Sequence, residues 1–139
     1  TGTTIVPLSV QVTLEDMAGT DTEIDIRFAQ NDIGNGTSTA ISVAALNFRT
    51  DAPKTSAVTG RHLATADTTA ETNPVSLYRV THGVAEGTGS DHKTVLWEGD
   101  PKPVLIGPAS LIVYVAATTT QATGYVQFVW AEFTTSDVI

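Results

Sequence analysis

Three histidines, His62, His82 and His92, are the side chains in this sequence best suited to bind a transition metal. Zinc sites commonly place histidines three to five residues apart. Here the intervals are 20 and 10 residues. The spacing therefore favours histidines in loops or at strand ends over a metal centre, and we expect no cofactor.

The segment Asn31–Gly36, NDIGNG, partly matches the start of a calcium-binding EF-hand loop. Its third ligand position is Ile33, and its twelfth residue, where a glutamate normally binds the ion through both oxygens, is Ser42. A turn is the expected structure, and Asn35-Gly36 favours a hairpin there. A looser calcium site remains an alternative, formed by Asp16, Asp21 and Asp32.

Catalytic patterns are also weak. Ser90-Asp91-His92 contains the three residue types of a catalytic triad, but triads are assembled across a fold rather than along one turn. The sequence has neither a G-x-S-x-G motif nor a cysteine. Glu98 and Glu132 lie on or near apolar strands, where a hydrogen-bonded carboxylate is commoner than one of a glycosidase pair. We expect a non-enzymatic protein.

The elements that position these residues are strands, and the clearest lie in the last quarter. Leu111–Ala117 and Tyr125–Phe133 are apolar runs rich in β-branched and aromatic residues, and both are too short for buried helices. The sequence predicts that they form one hairpin. Neither face of the second run is polar, so we expect a second sheet or another chain to cover both sides.

Earlier segments alternate between apolar and polar residues. In Ile5–Leu14 the apolar face is predicted to include Val6 and Leu8, and Pro7 indicates an edge position or the first paired residue. Glu23–Ala29 is predicted to point its charged residues outward. The other predicted strands are Ala40–Thr50 with a bulge near Ala44–Ala45, Val75–His82, His92–Glu98 and Val104–Gly107. Asp51–Asn73 has little pattern; it is either a long loop or a short strand around Ser56–Leu63 that a neighbouring chain completes.

Composition limits the partners. The chain has 139 residues, a net charge of −8 and only seven scattered Lys and Arg residues. Phosphate backbones and anionic membranes are bound by clustered basic residues, so neither nucleic acid nor membrane is an expected partner. The absence of cysteine favours folding in a reducing cytosol, and the first residues do not match a signal peptide.

Together these patterns predict an all-β protein: an antiparallel β-sandwich of about eight strands, of jelly-roll type, in a single domain. We expect residues 7–139 to form that domain and residues 1–6 to form an N-terminal arm. Six aromatic residues concentrate in the C-terminal third, and a two-faced apolar hairpin is typical of burial against another subunit.

The chain as a whole, short, acidic, free of cysteine and rich in Thr, Ala and Gly, resembles the small virion proteins of tailed bacteriophages. Among these it resembles capsid decoration (cement) proteins and related jelly-roll head or tail proteins. The ending GPASLIVYVAATTTQATGYVQFVWAEF is similar to the final hairpin of trimeric jelly rolls, which lies near the threefold axis. The resemblance implies a homotrimer in the virion, made in the host cytoplasm, that binds the major capsid protein or other virion proteins.

The resemblance also implies which residues contact a partner. In that family an N-terminal arm often joins neighbouring subunits, which implies that residues 1–6 reach a neighbour here. On the last hairpin, the face with either Trp130 or Tyr125 would expose an aromatic patch unless a partner covered it. The predicted interface residues are Thr1, Thr3, Thr4, Ile5, Val6, Tyr125 and Trp130. The alternative function is a carbohydrate- or receptor-binding module of a fibre or tail, which uses loop aromatics and Asp or Asn side chains.

Overall fold

The computed structural model describes residues 2–16, 20–33, 39–41, 51, 56–62, 70–83, 93–117 and 122–135. Within these residues the chain is all-β and antiparallel, as predicted, with nine strands. The strands are β1 (Thr3–Asp16), β2 (Thr22–Ala29), β3 (Thr39–Ile41), β4 (Gly60–His62), β5 (Val75–His82), β6 (Lys93–Trp97), β7 (Leu105–Ile106), β8 (Ser110–Ala117) and β9 (Thr123–Thr134). None of the described segments is a helix with the length and hydropathy to cross a bilayer.

Two principal sheets contain most of these strands. In the first, β1 is central, with β9 along one edge and β6 and β7 along the other. In the second, β2 lies between β5 and β8. The short strands β3 and β4 pair with each other. This arrangement is consistent with the predicted sandwich, and the jelly-roll connectivity stays a prediction.

One core joins the two sheets. Its buried members come from β1, β2 and β6, and residues of β5 and β8 pack against them. The fully buried Ile24 and Ile26 of β2 face Val10 and Val12 of β1, because alternation places every second side chain of each strand inward. The core thus fixes β1 and β2 as the centre of each sheet.

The predicted hairpin of the last two long strands is wrong. β8 pairs with β2 along its whole length, and β9 pairs with β1, so consecutive strands belong to different sheets. The physical reason is the core: Leu111, Val113 and Val115 of β8 cover it from the second sheet, which pairing beside β9 would prevent. The connection between Ala117 and Thr123 is short, and a short connection can join strands of two packed sheets as well as neighbouring strands of one hairpin.

The N-terminal arm is also not observed among the described residues. Thr4 and Ile5 pair with β7 on one side, and residues 3–6 pair with β9 on the other. These residues have the extended backbone and the apolar Ile5-Val6 pair that suit a central strand, and β7 and β9 supply its two neighbours. Thr1 lies outside the described residues.

Pro7 does not mark an edge, since β1 is central. On the side of β1 that pairs with β9, it lies at the register shift between Pro7 and Ser9. On the other side of β1, it lies between the residues that pair with β7 and those that pair with β6, so neither strand is hydrogen-bonded to it there. A residue without an N–H is tolerated at such a bulge. The shift also buries Pro7 and leaves Leu8 38% exposed and Val6 only half-buried, contrary to the predicted core face.

Two further predictions concern the middle of the chain. A strand does form within Ser56–Leu63, but its partner is β3 of the same chain rather than a neighbouring chain. The predicted Asn35-Gly36 turn, the bulge near Ala44–Ala45 and the Ser90-Asp91-His92 turn fall outside the described residues.

Candidate interface along the last strand

β9 is an edge strand of the first sheet and, at twelve residues, the longest edge strand in the part of the chain that the structure describes. All twelve residues run beside β1, with register shifts where β1 passes Pro7–Ser9 and Leu14–Asp16. Within the described residues, no strand pairs with its other edge. An edge strand of this length presents a row of backbone N–H and C=O groups that another strand can use.

Both faces of β9 carry exposed apolar side chains. Tyr125 is 55% exposed on the outer face, which it shares with Gln127. Val126 and Phe128 lie opposite the core residues Val12 and Val10, and they are still 39% and 36% exposed. None of the buried members of the core cluster comes from β9. The strand therefore offers apolar area that the core of its own chain does not use.

Charge is almost absent from this strand. Edge strands of soluble proteins are commonly protected by charged side chains, especially lysine. β9 has one charged residue in twelve, Glu132, although the chain as a whole carries a net charge of −8. An exposed, uncharged apolar patch on an otherwise charged surface is typical of a protein contact.

Glu132 is held by its own chain at the C-terminal end of β9. Ser56 Oγ donates a hydrogen bond to Oε1, Trp130 Nε1 donates to Oε1 at 2.9 Å, and the Ala57 N–H donates to Oε2 at 3.3 Å. Partial burial raises the pKa of Glu132, but the bonds from Ser56, Trp130 and Ala57 outweigh it and lower the pKa below its ordinary value of 4.5. This cluster fixes the segment around Ser56 against β9.

A second polar cluster covers the outer face of β2. Asp25 is only 7% exposed and accepts a hydrogen bond from Ser76 Oγ at 2.7 Å. The Arg27 guanidinium lies 2.8 Å from a Glu71 carboxylate oxygen and 4.8 Å from the centre of the Tyr114 ring. Asp25 points away from the core, as predicted, but Ser76 and Arg27 close over it, so the side chain is buried rather than exposed. The cluster ties residues around Glu71 to the sheet, which is a structural role.

The structure does not bring together the candidate metal ligands that it describes. Among the described residues, no group of three His, Asp or Glu side chains is placed to hold a metal ion. His62 lies on β4 and His82 at the end of β5, whereas His92 is outside the described residues. Asn31 anchors a neighbouring segment instead: its side chain donates to the Ala70 carbonyl at 2.9 Å and accepts from the Thr72 N–H at 2.8 Å.

The predicted interface residues separate into two groups. Tyr125 is exposed and Trp130 is half-buried, on opposite faces of β9. The N-terminal set is different: Thr4 is fully buried, and Thr3, Ile5 and Val6 are partly covered by the strands on either side. The buried Thr4 side chain is not available to a partner, and Tyr125, the most exposed of the predicted residues that the structure describes, lies on β9, which is the candidate interface.

Sequence reasoning missed both polar clusters. Glu132 was expected to accept a strand-end hydrogen bond, and that is confirmed, but nothing in the pattern indicated Ser56 as its donor. For the second cluster the sequence does contain a signal: Asp25 and Arg27 are two residues apart on one strand, so their opposite charges share a face and can pair. No protein-family model, curated protein or solved structure matches this chain.

Proposed function

We propose that this chain is a non-enzymatic structural protein of a virion, which binds and stabilises a protein shell as a capsid decoration or minor capsid protein. The observation that carries the proposal is β9: a twelve-residue edge strand, nearly uncharged, with exposed apolar side chains on both faces. A structural role uses such a surface for association and needs no group of titratable side chains.

The rest of the molecule supports association with protein rather than with a polyanion. The net charge of −8 repels nucleic acid and anionic lipid, and the exposed rings of β9 are of the residue type that dominates binding at protein interfaces. The virion assignment itself depends on the likeness of the sequence to small phage structural proteins.

Co-sedimentation with assembled particles tests the proposal. Purified chain is mixed with phage heads that lack it, and the bound fraction is measured after centrifugation through a sucrose cushion. We expect saturable binding, and we expect Tyr125→Ser to weaken it by about five- to tenfold, the loss of roughly 1–1.4 kcal/mol for an aromatic at an interface. Binding that is absent at every concentration would refute the proposal.

The chain offers a matched control. Leu96 of β6 is 52% exposed, close to the 55% of Tyr125, and it lies on the same outer face at the opposite edge of the same sheet. Leu96→Ser removes a similar exposed apolar area away from β9, so it should bind like the parent. Equal losses in both variants would show that general surface hydrophobicity, and not β9, drives the binding.

The alternative is a carbohydrate-binding module, and exposed tyrosines favour it. Tyr78, Tyr114 and Tyr125 are 39%, 45% and 55% exposed, and aromatic rings stack on sugars. The Arg27 guanidinium already covers the Tyr114 ring. Reproducible binding to a glycan array that Tyr125→Ser abolishes, together with no binding to particles, would favour this alternative.

A further inference from the structure

We infer that the partner of β9 is β9 of a second copy, paired antiparallel about a two-fold axis so that the first sheets of the two copies become continuous. The inference rests on the proposed role of β9 as an interface strand, and it names the occupant of that edge. A two-fold axis perpendicular to the sheet reverses the direction of the strand, so the contact continues the antiparallel pattern of the sheet.

Charge favours a second copy at this edge. Two molecules that each carry a net charge of −8 repel one another over most of their surfaces. Residues 123–131 of β9 contain no charged side chain, so copies that meet here avoid placing like charges opposite each other. Glu132 follows that stretch, and its carboxylate is already bonded by Ser56, Trp130 and Ala57.

The side chains select a register centred on Gln127. With the axis there, Val126 of one copy lies opposite Phe128 of the other, and Tyr125 lies opposite Val129. Pairs of an aromatic and a β-branched residue are favourable across antiparallel strands. Gln127 meets its own copy on the outer face, where two amide groups can exchange hydrogen bonds. The pairing spans residues 123–131 and leaves Glu132 beyond its end.

The available area sets the strength of this contact. The exposed fractions of Tyr125 and Phe128 correspond to roughly 180 Å² of aromatic surface per copy, at about 200 Å² for a whole side chain. Stable interfaces bury about 800 Å² per partner, so the backbone of the edge and its flanks must supply most of the rest. We therefore expect a dimer that dissociates on dilution rather than an obligate one.

The absence of cysteine from the chain makes a single introduced thiol unambiguous. Gln127→Cys places this thiol at the two-fold axis. Leu96→Cys places it on β6, at a 52% exposed position on the same outer face of the sheet, and measures cross-linking by random collision. Both variants are treated with a short bis-maleimide reagent, and the cross-linked fraction is measured on gels. Light scattering of the parent is measured over a range of concentrations.

We expect Gln127→Cys to cross-link about tenfold faster than Leu96→Cys, because opposed residues of paired strands have Cβ atoms only about 5 Å apart. We also expect the parent mass to rise with concentration from 14.6 kDa towards twice that value. Gln127→Lys places two ammonium groups at the axis, so this variant should stay at monomer mass at every concentration, with thermal unfolding unchanged from that of the parent.

Two results would overturn the inference. Equal cross-linking of Gln127→Cys and Leu96→Cys with a mass fixed at 14.6 kDa would show that β9 does not pair with itself. A mass of three times the monomer would require β9 to meet a different edge, since a trimer cannot be closed by two-fold contacts. In either case, chain that still co-sediments with particles would leave the proposed function standing.

Discussion

Gly124 sets the position at which β9 joins β1, and replacing it with alanine should destabilise the protein. A Cβ atom at residue 124 would overlap the carbonyl oxygen of Thr13 and approach Cα of Leu14 to 3.0 Å. Both neighbours are backbone atoms of the central strand, so they cannot rotate away as a side chain can. The contact lies beside the register shift between Leu14 and Asp16, where the two strands approach closely.

The size of the effect follows from two opposing terms. Forcing an extra methyl group into a filled site costs about 1–3 kcal/mol. Replacing glycine by alanine also restricts the unfolded chain, which stabilises the fold by about 0.4–1 kcal/mol. We expect Gly124→Ala to lower the free energy of unfolding by about 1–2 kcal/mol, or the melting temperature by about 3–7 °C for a chain of this length.

Urea denaturation at pH 7, followed by tryptophan fluorescence, measures this change. Gly83→Ala is the matched control, because a Cβ there would lie 3.6 Å from Asp21 Oδ1, an ordinary van der Waals contact. With no clash to offset the restriction of the unfolded chain, its free energy of unfolding should equal that of the parent or exceed it by up to about 1 kcal/mol. Equal stability of the two variants would refute the close approach of Gly124 to β1.

Two further predictions concern the polar clusters. Glu132→Gln should lower the free energy of unfolding at pH 7 by no more than about 1 kcal/mol, since the carboxylate lies at the surface. Because its pKa is lowered on folding, this contribution is complete above pH 4.5 and is lost as the pH falls through the folded value, so parent and variant should converge in acid. Arg27→Met should cost about 2–3 kcal/mol at pH 7, since it leaves the buried Asp25 carboxylate and Glu71 without their cation. Arg79→Met is the control: the Arg79–Glu23 pair is shorter, at 2.6 Å, but the Arg79 side chain is 62% exposed, so this variant should lose less than about 1 kcal/mol. If urea denaturation gave the same loss for Arg27→Met and Arg79→Met, burial would not be what makes the Arg27 contacts important.

The strands themselves could be predicted from the sequence because their signal is local. Alternation within a few residues indicates β2 and β6, and the apolar runs indicate β8 and β9. Burial of Val95 and Trp97 on one face of β6 follows from the same alternation. Such patterns depend only on which side chains a strand turns inward, and they hold whatever the strand pairs with.

Pairing and the outer faces could not be predicted, because they depend on residues distant in the chain. The bulge after Pro7 changes which side chains of β1 face the core, and only the strands beside it determine where it falls. Asp25 is buried by Ser76, which lies 51 residues away in the sequence, and Glu132 receives its bond from Ser56, 76 residues away. Neither separation leaves a periodic signal.

The exposed edge of β9 has limits at both ends, and these limits distinguish an interface from an aggregation site. At its start, the register shift between Leu14 and Asp16 and the close approach at Gly124 fix the strand against β1. At its end, the hydrogen bonds to Glu132 place the Ser56 segment against the strand. Between these limits nine uncharged residues, 123–131, offer a partner strand a stretch of defined length. When a second copy pairs with it about a two-fold axis, each β9 edge is occupied by the other, so pairing through β9 ends at two copies rather than extending into a fibre.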